Sequence, residues 1–129
     1  MLEQKIFEFV TKYKLIEKGD KIILGVSGGP DSICMLTILH KISHKINFQI
    51  VVCHVNHGLR QNACEDELFV KNFCKKINVP FFVKQVNVEE IAKKQKRGIE
   101  ETGRIVRYNF FDEIMHQTNS NKIAIAHNC

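Results

Sequence analysis

The chain has 129 residues, 44% of them hydrophobic and 26% charged, which suits one globular domain with a single core. Nineteen Lys and Arg against 14 Asp and Glu leave a net charge of +5, an excess that permits an anionic partner without requiring one. The five cysteines include no C-x-x-C pair and no apolar run reaches membrane length, which argues against a disulfide framework, a zinc site and a membrane span. Reduced thiols are expected, with Cys34, Cys53 and Cys74 in apolar contexts, in a cytoplasmic protein.

Leu2, Ile6, Phe9, Val10 and Tyr13 recur at helical spacing and predict an amphipathic helix from residue 2 to about 16, stopped by Gly19-Asp20. Residues 21–32 read KIILGVSGGPDS. Ile22, Ile23, Leu24 and Val26 predict a strand buried on both faces, and Ile33, Leu36, Leu39 and Ile42 the inward stripe of a following helix, widened by Met35 and Ile38. Between them lies a tight glycine turn at a helix N-terminus. Gly28 and Gly29 allow positive φ and close approach of a ligand, while Ser27, Asp31 and Ser32 surround amides at the positive end of the helix. The arrangement suits phosphate, but it has neither the spacing of a Walker A loop nor the third glycine of a dinucleotide fingerprint.

Residues 48–55 (FQIVVCHV) predict a second buried strand, ending in a polar turn with His54 and His57. Residues 65–77 predict a helix with Leu68, Phe69, Phe73, Cys74 and Ile77 on one side, Asn62 as a candidate N-cap and Glu65, Asp66 and Glu67 near its positive end. A third strand is expected over residues 81–88 and a short helix over 89–97. That helix contains the run KKQKR, which reads as a solvated face or as a phosphate-backbone contact. A longer helix over 100–116 and a fourth strand over 122–127 (KIAIAH) follow. Strands separated by helices imply an α/β fold, a doubly wound parallel sheet of order 3-2-1-4, with ligands at the carboxyl ends of the strands. One nucleotide-binding domain is expected over residues 1–129, as a fragment, because the chain stops just past a strand's carboxyl end.

The loop SGGPDS resembles the pyrophosphate loop of the ATP pyrophosphatases, whose fold is that of the adenine-nucleotide alpha-hydrolases. With HVNHGLR (54–60), EETGRIVRY (100–108) and AHN (126–128) in the same order, the chain is similar to the tRNA(Ile)-lysidine synthetases over residues 27–128. Singly, the three added segments read equally as a polar turn, a helix salt-bridged between Glu100 and Arg104, and a satisfied histidine. The resemblance implies an ATP-dependent ligase that adenylates the wobble cytidine of a CAU-anticodon isoleucine tRNA and then joins free lysine to it. It implies that Ser27, Gly28, Gly29, Pro30, Asp31 and Ser32 hold phosphates, with Asp31 the Mg2+ ligand. Arg104 would act on the α-phosphate or the cytidine, oriented by Glu100, and Arg107 would contact ATP or tRNA phosphate. The backbone near Val26 and Val55 would read adenine. The family's acidic stretch after AHN lies beyond Cys129, so the isolated chain is expected to bind nucleotide without making lysidine. A 2-thiocytidine-type enzyme and a non-catalytic nucleotide-binding module are the alternatives.

Overall fold

A computed structural model describes residues 2–12, 15–58 and 63–126. Its centre is β1 (Lys21–Val26), which pairs in parallel with β2 (Gln49–Asn56) on one side and β4 (Lys122–Ala126) on the other. Strand β3 (Phe81–Gln85) pairs with β2, completing the expected order β3-β2-β1-β4 among the described residues. The chain leaves β1 through α2 (Pro30–Ile46) toward β2, whereas β4 lies on the opposite side of β1, so strand order reverses at the carboxyl end of β1.

The two faces of β1 divide the core. Ile22, Leu24 and Val26 join Ile50 and Val52 of β2 beneath Leu36, Ile38, Leu39 and Ile42 of α2 and Val70 and Cys74 of α3 (Ala63–Lys76). Ile6 and Phe7 of α1 (Leu2–Lys12) pack onto the same cluster. On the other face, Ile23, Val51 and Cys53 meet Phe110, Phe111 and Ile114 of α5 (Ile99–Thr118). Near-continuous apolar strands follow from this two-sided burial. Gly25 is required by it, since a Cβ there would stand 2.6 Å from Cζ of Phe111.

A buried carboxylate ties the lower ends of β1 and β4 together. Asp20 accepts hydrogen bonds from the Glu17 amide (2.8 Å) and Asn121 Nδ2 (2.9 Å), and its ion pair with Lys122 spans 2.6 Å. The Lys122 ammonium first, then the Glu17 amide, lowers its carboxyl from 3.8 to about 2.

Several expectations shift. β3 ends at Gln85 rather than 88, because the Asn87 side chain accepts the Glu90 amide (3.1 Å) and starts α4 (Val88–Gln95) there. A side-chain cap outweighs the strand propensity of the two valines. On α3, Leu68 and Phe69 are 57% and 50% exposed, and the inward stripe is Val70, Phe73 and Cys74, with Ile77 just past the helix, set by which side meets the sheet. Cys34 is exposed, whereas burial raises the Cys53 and Cys74 thiols to about 12. Tyr13, Leu59, Arg60, Asn62, His127 and Asn128 lie outside the described residues.

Candidate functional site

The loop after β1 is built by its own hydroxyls. Ser32, fully buried in the first turn of α2, donates from Oγ to the Gly29 carbonyl (2.9 Å) and accepts from the Gly28 amide (3.2 Å) and Ser27 Oγ (3.1 Å). One donor and two lone pairs are thus engaged, so this hydroxyl shapes the turn. Gly28 has φ +95°, and a Cβ there would meet Cβ of Asp66 at 3.1 Å, so both conformation and space demand glycine. Gly29 occupies the N-cap position without a side-chain cap, and Pro30 follows it. Among the described residues no side chain caps this helix start, so the Asp31 and Ser32 amides are first-turn donors at the positive helix end, the arrangement that accepts phosphate oxygens. Asp31 is exposed at the rim. Among the described residues no group of three metal-binding side chains occurs, so a divalent ion here would share Asp31 with ligand oxygens and water.

A second feature lies past the carboxyl end of β2. His57, Val88, Ile99, Glu100, Glu101, Gly103, Arg104 and Arg107 line a cleft of about 560 Å³. The start of α5 thus brings Glu100, Arg104 and Arg107 to one opening with His57. Burial first, then the Arg107 guanidinium and His54, holds the His57 imidazole below its ordinary value, so it is neutral at pH 7. Arg107 Nε is buried with no hydrogen-bond partner among the described residues. A buried unpaired donor of a cation is costly, of order 1–3 kcal/mol or more, until an oxygen reaches it. Among the described residues no ion pair joins Glu100 to Arg104, although both line the cleft.

Between loop and cleft, a network missing from the sequence reading holds the HVNH turn. Buried Asn56 accepts the Gly58 amide on Oδ1 (3.0 Å) and donates from Nδ2 to Glu67 Oε1 (3.2 Å). Gln85 Nε2 donates to both oxygens of the same carboxylate, at 2.9 and 3.0 Å. The Asn-x-Gly spacing signals the first of these bonds, as an Asx turn. Nothing local signals the others, which join residues 11 and 18 positions apart.

Val26 ends β1, 3% exposed, and half-buried Val55 packs on the α5 side of the sheet. In the KKQKR run, Lys93 and Lys94 pair with Glu89 and Glu90 at 3.9 and 3.4 Å, and Glu100 and Glu101 follow. Four carboxylates thus balance the four cations, which favours a solvated face over a phosphate contact. Among the described residues no helix is long and apolar enough to cross a membrane.

A family model described as a PP-loop domain matches residues 1–129. The tRNA(Ile)-lysidine synthase of Petrotoga mobilis is 48% identical over 97% of this chain, which spans 40% of that protein. The tRNA(Ile)-lysidine synthase of Caldanaerobacter subterraneus subsp. tengcongensis is 44% identical over 97% of the chain, here 27% of the relative's length. The U34-tRNA thiolase NcsA from Methanococcus maripaludis, solved with its [4Fe-4S] cluster, superposes with a TM-score of 0.78 at 20% identity, covering 98% of this chain and 44% of that one. NH3-dependent NAD synthetase from Campylobacter jejuni gives a TM-score of 0.66 at 16% identity over 98% of this chain and 55% of that one. The chain thus spans two-fifths or less of these two curated relatives, and the solved structures share its fold.

Proposed function

The chain belongs to the PP-loop domain family, and from that premise we propose that it binds ATP at loop 27–32 and supplies the nucleotide-activating part of a cytoplasmic tRNA(Ile)-lysidine synthase. The observation that carries the reading is the uncapped first turn of α2 behind a glycine at φ +95°, at the sheet's switch point. Its relatives' names mention tRNA(Ile) and lysidine; the substrates of this reading are isoleucine tRNA with a CAU anticodon, and lysine.

In the proposed reaction the C2 oxygen of the wobble cytidine forms a bond to the α-phosphorus of ATP, and pyrophosphate leaves. An amine of free lysine then attacks C2, the C2–O bond breaks, and AMP departs with that oxygen. The Asp31 and Ser32 amides hold the β- and γ-phosphates as charge builds on the leaving pyrophosphate. Asp31 would hold Mg2+, which would supply neutralisation of part of that charge. Arg107, whose Nε has no hydrogen-bond partner among the described residues, binds a phosphate oxygen of ATP or tRNA, and Arg104 meets the α-phosphate or the activated cytidine. Neutral His57 leaves the cation count at the cleft to the two arginines. The cytidine must leave its stack to reach such a site.

The test incubates a protein containing this chain and the further length of its relatives with ATP, Mg2+, lysine, sulfide as a sulfur source and unmodified isoleucine tRNA, followed by mass spectrometry of the tRNA nucleosides. Lysidine supports the reading. Thiocytidine would assign the chain to the thiolases, and nucleotide binding without a modified base would leave a non-catalytic module; either overturns it.

A further inference from the structure

His54 breaks the pattern of the strand that carries it. Along β2, Ile50 and Val52 face the α2 and α3 side of the sheet, and His54 is the next residue on that side, 3% exposed. An apolar side chain would complete that packing, whereas a buried imidazole is costly unless its nitrogens are paired. Its Nδ1 lies 2.8 Å from the Val26 carbonyl oxygen. A carbonyl only accepts, so Nδ1 carries the hydrogen and donates it. The β1–β2 register runs from Lys21↔Gln49 to Gly25↔Cys53 and stops there. Beyond it, β1 continues beside β4 to Val26↔Ala126, and β2 beside β3 to Asn56↔Gln85. The sheet opens between β1 and β2 at the peptide leading into Ser27, and the His54 side chain spans the opening.

We infer that His54 is a positioning residue for the phosphate loop: its Nδ1–H bond to the Val26 carbonyl sets the plane of the Val26–Ser27 peptide and the direction in which Ser27, Gly28 and Gly29 leave the strand. The inference rests on the ATP-binding reading and deepens it. Loop direction matters to the β- and γ-phosphates, whereas adenine near Val26 is common to both nucleotides, so ATP loses more affinity than AMP does.

Calorimetry of ATP with Mg2+ and of AMP, on wild type, His54→Asn and His54→Gln, tests it. Asparagine carries its amide nitrogen on Cγ, where Nδ1 sits; glutamine carries it one carbon farther, out of register with the carbonyl. The ratio of ATP to AMP affinity stays within about twofold of wild type in His54→Asn and falls about fivefold in His54→Gln, the equivalent of one lost neutral hydrogen bond. Equal ratios in all three proteins, with ATP and AMP weakened together, would make His54 merely structural and overturn the inference. Wild type that fails to bind ATP at all would instead remove the ATP reading beneath it. If His54→Gln does not fold, nitrogen-15 NMR of the wild-type imidazole decides. A Nδ1–H tautomer whose proton exchange is slowed by ATP more than by AMP supports the inference; a Nε2–H tautomer refutes it.

Discussion

Gly25→Ala places the tightest test on how β1 is held, and therefore on how the loop that follows it is aimed. The new Cβ would lie 2.6 Å from Phe111 Cζ and 3.1 Å from Cε2, about 1 Å inside ordinary carbon–carbon contact. The ring cannot swing aside. Phe111 is 1% exposed, packed among Ile23, Val51, Cys53 and Ile114, and Tyr108 meets it edge-on at 5.9 Å. Overpacking on this scale costs about 1–3 kcal/mol, offset by about 0.4–1 kcal/mol from the less flexible unfolded chain. The net loss of roughly 1–2 kcal/mol lowers Tm by about 3–10 °C for a domain of this size. Any outward shift of β1 moves Val26 and Ser27 with it, so ATP affinity falls as well. Urea denaturation of wild type, Gly25→Ala, Phe111→Leu and the double variant checks the origin of the loss. If the methyl–ring overlap is the cause, the double variant is more stable than the two single losses predict by about 1 kcal/mol. Gly25→Ala within about 0.5 kcal/mol of wild type, or strictly additive losses, would refute the argument.

Asp31→Ala weakens Mg2+·ATP binding about tenfold, some 1.4 kcal/mol, and calorimetry giving equal affinity would remove Asp31 from the metal site. Arg104→Ala lowers turnover in single-turnover adenylation while ATP affinity changes little, because its contact strengthens as charge develops; a wild-type rate would leave it no role in the transition state. The Asp20 carboxyl is held at about 2 against an ordinary 3.8, so its contribution is fully present above pH 4 and is lost as pH falls toward 2. Acid titration followed by circular dichroism is accordingly steeper for wild type than for Asp20→Asn. That variant is also less stable at pH 7, by up to about 2 kcal/mol. Parallel acid limbs for the two proteins would show that the clamp with Lys122 does not set acid stability.

How much of this was legible in the sequence follows from distance along the chain. The runs KIILGV and FQIVVCHV announce strands buried on both faces because each residue's environment there depends on its own polarity. SGGPDS announces its turn because positive φ and an uncapped helix start are properties of adjacent residues, and strands alternating with helices leave few topologies besides 3-2-1-4. Periodicity alone did not decide which side of α3 faces inward. Val70 rather than Leu68 and Phe69 was selected when the helix met the sheet. Asn87 had the chemistry of a cap, but its valine neighbours argued for strand until the backbone turned. The hydrogen bonds that fix the loop, the turn and the strand ends join partners far apart in sequence: His54 to Val26 across 28 positions, Gln85 to Glu67 across 18, Asp20 to Asn121 across 101. A hydrogen bond is a relation between two positions in space, and side-chain polarity reports only that a partner is needed. Packing of the sheet against its helices decided which partner that was.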